Sequence, residues 1–335
     1  MGNESRNIYL LKNTLIFTLG NIGSRMISFF LIPLYTNVLT TSQYGTVDLI
    51  TTISTVAGPM LTLNIAESVM RFGLDKDADK EKNTQCGSLV LFIAMVIGMV
   101  LIPICRCIAE ISDYAMYVYF YVISLSASQL FLCDLRGKEL LLKYSFGNIL
   151  QTLMIAILNI MFLLVFKMET GGYLLAYIIA NIIVAIYAII AGKGYKAFSF
   201  CNIDRCKLKE MVRYSVVLIP NTFMWWIMNS SDRVMVTYMI GAAANGIYAV
   251  SYKLPTLVST LTGIFNQAWS YSAIREEGTS DETEYNNKMF KTLAAIAFLM
   301  GIGLLLLTKP FLKVYVDNSY YDAWKYTPFL IIGCV

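Results

Sequence analysis

Six ionisable residues stand inside long apolar stretches of this chain: Arg25, Asp48, Glu67, Asp232, Arg233 and Lys253. A charge at bilayer depth is costly, so it faces a bundle interior or a watery cavity and marks a solute pathway. Three of the six are cations, Arg25, Arg233 and Lys253; with Asp48 near the outer turn and Glu67 at the cytoplasmic mouth, only Asp232 balances them in the membrane interior. A guanidinium fork forms paired, charge-assisted hydrogen bonds with phosphate, and an ammonium adds a point charge. This set therefore suits recognition of an anionic cargo in transit.

Covalent chemistry has little to work with. The chain has no histidine, which removes His-based acid–base catalysis, His-dependent triads, haem ligation by His and most zinc sites. The seven cysteines are Cys86, Cys105, Cys107, Cys133, Cys201, Cys206 and Cys334. None forms a C-x-x-C pair, so they read as small apolar residues, not as a disulfide or metal framework. No metal, cofactor or enzymatic activity is expected.

Helical stripes would position the charges. In the first apolar stretch Thr14, Thr18, Asn21, Arg25 and Ser28 recur at steps of four and three, which places them on one helical face. A later stretch repeats the plan with Lys253, Thr256, Thr260, Gly263, Gln267 and Ser270. Between them, Asn221, Trp225, Asn229, Asp232, Arg233 and Thr237 share one broad side. A milder stripe holds Thr51, Thr55, Gly58, Thr62, Glu67 and Arg71. Polar stripes cannot face lipid, so the simplest arrangement gathers these four helices around one cavity.

Arg25, Arg233 and Lys253 would be the cargo-binding cations of that cavity, with Asn21 and Gln267 as further contacts. Asp232, Glu67 and Arg71 are read as coupling groups or structural ion pairs. Glu67 and Arg71 stand four apart and can pair. The structural alternatives are specific. Arg25 could be a partner to Asp232. Asp48 reads as a helix-start residue favoured by the positive helix N-terminus. The tyrosines of 114–121 (YAMYVYFY) read as an interface belt, and 134–138 (DLRGK) as a solvated turn.

Composition agrees with a membrane setting. The 335 residues are 57% hydrophobic and 14% charged, against about 25% charged in soluble domains. A span needs about 20 apolar residues. That rule predicts all-α spans at 10–35, 47–70, 87–104, 114–133, 146–166, 173–191, 214–240, 247–273 and 293–307, with a tenth from 326. Most of the 26 Lys and Arg residues fall in segments that lie on one side if the N-terminus is cytoplasmic. The other side holds Lys167, Lys309, Lys313 and Lys325. The N-terminus is therefore expected inside. The net charge of +4 follows from this bias and implies no nucleic-acid partner.

The chain divides into 1–191, a basic cytoplasmic linker at 192–213, and 214–335. The halves echo one another: 36–50 (TNVLTTSQYGTVDLI) and 237–251 (TYMIGAAANGIYAVS) share a helix–turn–helix plan with Gly45 against Gly246. Transporters are commonly built from such repeats, with the site between them. The second half has about four spans, so the expectation is two six-helix bundles with the second incomplete.

Several segments together resemble the Wzx-type polysaccharide flippases of the multidrug/oligosaccharidyl-lipid/polysaccharide superfamily. They are the first span with Arg25, 39–48 (LTTSQYGTVD), 209–220 (KEMVRYSVVLIP), 229–233 (NSSDR) and 246–253 (GIYAVSYK). The resemblance implies two six-helix bundles in a V and alternating access through a cationic cavity. It also implies a flippase that moves undecaprenyl-diphosphate-linked oligosaccharide repeat units across the bacterial cytoplasmic membrane for capsule, O-antigen or exopolysaccharide assembly. The partners implied are that lipid-linked oligosaccharide, membrane lipid and the polysaccharide polymerase machinery. Arg25, Asp232 and Arg233 match the family's first- and seventh-helix charges. Alternatives are a drug or ion exporter of the same superfamily, a lipid II flippase and, from another class, a membrane glycosyltransferase or polymerase.

Overall fold

Thr40 and Gln43 close a capping box. Gln43 N–H donates to Thr40 Oγ1 (3.3 Å) and Thr40 N–H donates to Gln43 Oε1 (2.9 Å), satisfying two helix-end donors reciprocally. The computed structural model describes residues 27, 29–75, 79–195, 203–276 and 282–334. Its helices are α1 (Ile32–Val38), α2 (Thr41–Leu61), α3 (Ile65–Gly73), α4 (Lys80–Arg106), α5 (Ala115–Gly137), α6 (Leu141–Ile160), α7 (Glu169–Ala191), α8 (Arg205–Met239), α9 (Ala242–Ser251), α10 (Lys253–Glu276), α11 (Glu282–Tyr315) and α12 (Thr327–Cys334). The described residues contain no strand.

Five helical stretches are long and apolar enough to cross a membrane, and a sixth counts if α2 and α3 form one bent span. The chain is a multi-pass membrane protein. Polar stripes lower the apolarity of α8 and α10, which is why they fall outside this set. The span expected at 47–70 is broken: α2 and α3 meet at 60°. Pro59 sits in the last turn of α2, and Leu63 and Asn64 after it take left-handed φ values of 52° and 54°. The Asn64 N–H then reaches back to the Pro59 carbonyl (2.6 Å). The helix expected from 214 begins at Arg205, inside the segment read as linker, because Asp204 caps it by accepting from Cys206 and Lys207 N–H.

The halves cross at α2 and α9. A Cβ on Gly45 would overlap the Ala242 carbonyl, and one on Gly246 would overlap the Thr41 carbonyl. The two contacts are mirror copies with the sequence offset of the repeat, so the helix–turn–helix echo is a two-fold-like pairing in space. Small residues let membrane helices approach this closely, and packing supplies the attraction where burial from water does not. Gly241, at φ 121°, makes the turn from α8 into α9 in a conformation other residues rarely adopt. Around the crossing, Tyr44, Leu49 and Ile50 share one buried core with Val250, Leu254, Leu312 and Tyr320. A second core under α3, α4, α5 and α7 buries Ile65, Val69, Leu130, Leu135 and Val184, and takes Met211 from α8.

Candidate functional site

One face of α8 docks along α2 and α3. Ser68 Oγ donates to the Met211 carbonyl (2.7 Å), Asn64 to Thr222 Oγ1 (3.2 Å), Trp226 Nε1 to the Thr52 carbonyl (2.9 Å), and Arg233 to Asp48 (3.1 Å). The steps 211, 222, 226 and 233 follow the helical period, so the helix repeat itself sets this ladder.

Its last rung is the strongest. The Arg233 guanidinium and the Asp48 carboxylate form an ion pair in which the side chains are 17% and 7% exposed. Asn245, on α9, donates to the Gly45 carbonyl (2.9 Å) and leans on the same carboxylate (3.5 Å). The Arg233 guanidinium also lies over the Tyr252 ring, 5.0 Å from its centroid. Its Nε is buried without a partner. Asp232 accepts from its neighbour's backbone N–H (2.9 Å) and from the Tyr248 hydroxyl. Lys253, opening α10, lies within electrostatic reach of both Asp48 and Arg233. The structure thus brings Arg233, Lys253 and Asp232 together at the crossing of the two halves.

Asp48 differs from expectation. Thr40 caps α2, and Asp48 lies two turns in, buried and paired across the halves. Arg71 pairs with Asp75 (2.6 Å), not Glu67, because both lie in the exposed turn that ends α3. Glu67 makes no ion pair among the described residues. The 134–138 segment is not a solvated turn. Asp134 is 3% exposed, accepts from Thr84 Oγ1 (2.5 Å) and pairs with Lys138 (2.6 Å), which also donates to the Gly192 carbonyl (2.9 Å). Nor are all the 114–121 tyrosines a belt: Tyr121 is buried against Tyr177, and Tyr119 donates to the Met95 carbonyl (3.1 Å). Arg25 and Asn21 lie outside the described residues, as does the Gln267 side chain.

The hydroxyl stripes read differently in space. Thr51, Thr55, Thr62 and Thr256 all donate to carbonyls of their own helices. Such back-bonding satisfies a hydroxyl locally, so these threonines need no watery face. A polar face absent from the expectations lies on α6: Tyr144, Asn148 and Gln151 at steps of four and three. With Glu67, Gln129 and Asn221 they line a cleft of about 740 Å³ between α3, α5, α6 and α8.

The family profile described as "polysaccharide biosynthesis protein" matches residues 10–274. No curated protein matches the sequence. Among solved structures, the chain is similar to an inward-facing multidrug resistance MATE family transporter of the MOP superfamily. The TM-score is 0.55 at 10% identity, over 92% of this chain and 78% of the other. It is also similar to the Vibrio cholerae MATE transporter VcmN in the bent form, with TM-score 0.52 at 13% identity, over 96% and 77%. A MATE in complex with MaD3S gives TM-score 0.55 at 12% identity, over 97% and 79%. At these identities the likeness is one of fold.

Proposed function

The chain belongs to the polysaccharide biosynthesis protein family, and on that premise we propose that it flips undecaprenyl-diphosphate-linked oligosaccharide repeat units across the bacterial cytoplasmic membrane. That it is a membrane transporter of the MOP superfamily follows from the family and the fold. The cargo, the membrane and an N-terminus inside are our reading. So are the roles of Arg233 and Lys253 as diphosphate ligands, with Arg25, which lies outside the described residues, as a third.

The single observation that carries the mechanism is the Asp48–Arg233 pair across the halves. A ligand moves a conformational equilibrium only by its differential affinity for the two states. A diphosphate supplies that difference if it replaces Asp48 at Arg233, with Lys253 as the second cation. Its binding releases the contact that holds α2 to α8 and α9, so the halves rock apart at this end. The glycan travels in the cavity while the prenyl chain stays in lipid. Once the diphosphate leaves, Asp48 recaptures Arg233 and the cycle resets. Asp232 is held by Tyr248 and acts here as a positioning group for Arg233.

An exporter of cationic drugs is the second reading of this fold. The crossing disfavours it, since Asp48 is already paired with Arg233 and Asp232 is held by Tyr248, which leaves neither carboxylate open to a cationic drug. The test is an Arg233→Ala, Lys253→Ala double variant assayed for surface polymer in cells lacking the native gene. Loss of polymer with the protein still inserted is the expected result. Full export by this variant would overturn diphosphate docking.

A further inference from the structure

We infer that the cleft between α3, α5, α6 and α8 is a glycan-recognition site that reads the sugar part of the cargo, apart from the charges at the crossing. The inference rests on the flippase reading above and adds to it a second subsite lined by no Lys or Arg.

The lining argues for sugar. Its polar groups are amides, hydroxyls and one carboxylate, with no Lys or Arg among them. Amide groups donate and accept at once, which matches the paired hydroxyls of a saccharide. Glu67, half-buried and without an ion pair among the described residues, accepts from hydroxyls and repels phosphate. Tyr144 lines the cleft with the Arg136 guanidinium over its ring, 5.4 Å from the centroid. A simple ion site is a poor fit, since a cation draws its oxygens to about 2.3–2.6 Å and this cleft is about 740 Å³. That volume lies within the range of about 300–1,000 Å³ typical of small-molecule sites.

The amides are also available. The side chains of Gln129, Asn148 and Asn221 make no hydrogen bond to other described residues. Gln151 is held in place from behind: its Nε2 donates to Asn181 Oδ1 (2.6 Å), and Ser128 Oγ shares that acceptor (3.5 Å). Gln151 itself lines the cleft. Asn181 is 1% exposed, so this anchor is rigid, and a polar group held by a buried partner is pre-organised for binding. Asn221 and Arg233 lie twelve positions apart along α8, roughly 18 Å at about 1.5 Å per residue. The two subsites therefore suit opposite ends of one extended headgroup.

The experiment compares two probes on the full chain in nanodiscs. One is lipid-linked oligosaccharide extracted from cells lacking the gene; the other is undecaprenyl diphosphate carrying no sugar. The Asn148→Ala, Gln151→Ala double variant should bind the first at least tenfold more weakly and the second within twofold of the parent. Retained binding of the sugar-free lipid also shows that the variant is folded. Equal weakening for both probes, or none for either, would overturn the glycan site while leaving the flippase reading standing. If the parent chain binds neither lipid, the flippase reading fails and the glycan site falls with it.

Discussion

Replacing Asp48 by Asn removes one charge from the contact between the halves and leaves the shape nearly unchanged. At the observed 3.1 Å, two unit charges in an effective dielectric of about 20 attract by about 5 kcal/mol. Desolvation of both groups takes back much of that. Hydrogen bonds to charged groups net about 1.5–3 kcal/mol. Since about 1.4 kcal/mol is a factor of ten, the population with this contact open should rise between about 10- and 150-fold. Ala249 is 0% exposed, within the core that both halves share. Placed as a single cysteine in an otherwise cysteine-free chain, it reports opening through its rate of maleimide labelling. That rate tracks the open fraction while opening and closing outpace reaction. Asp48→Asn should raise it by the stated factor, and Arg233→Gln should do the same. The double variant should label little faster than the faster single, because partners in one contact are not additive. A labelling rate within twofold of the parent for Asp48→Asn would refute the reasoning.

Three further outcomes follow from the packing. Gly45→Ala and Gly246→Ala each force a Cβ onto a facing carbonyl; each should lower surface polymer at least tenfold, and wild-type export would contradict the close crossing. Asp134→Ala strands Lys138 at the end of α5 and should cost about 3–5 kcal/mol in unfolding measured in detergent, whereas removing both partners should cost less than that. A single loss no larger than the double would contradict a buried pair. Arg71→Gln and Asp75→Asn alter a pair that is about half exposed on each side, where such pairs contribute little. Export and unfolding temperature should hardly move, and a large loss of export would place this pair in the working site.

Much of the fold was legible because its signals are local. Apolar runs located most of the described helices; Gly45 and Gly246 read only as a repeat, and the structure adds that each packs against the other half's backbone. The capping box at Thr40 and Gln43 was equally local: the Thr40-Thr41-Ser42-Gln43 string carries the pattern and would have started the second span before Asp48. What spacing could not supply is partnership. Asp48 and Arg233 lie 185 residues apart, and nothing near Asp48 distinguishes an inter-half ion pair from a helix-start residue. Asp134 and Lys138 have the spacing of an ordinary surface pair; only Thr84 and Gly192, brought in from α4 and the end of α7, reveal the burial. The α6 face escaped notice because it carries no charge, and Tyr144, Asn148 and Gln151 are diluted by leucine and isoleucine. Conversely, the threonine stripes looked like a wet face and are largely satisfied by their own helices.

The proposed movement of a lipid-linked oligosaccharide from one leaflet to the other has a direct readout. The most direct measurement is a lipid extraction from cells deleted for the gene, with leaflet accessibility read on spheroplasts. The expected result is build-up of an undecaprenyl-linked oligosaccharide confined to the inner leaflet, together with loss of surface polymer. Unchanged lipid-linked sugars with intact polymer would contradict it.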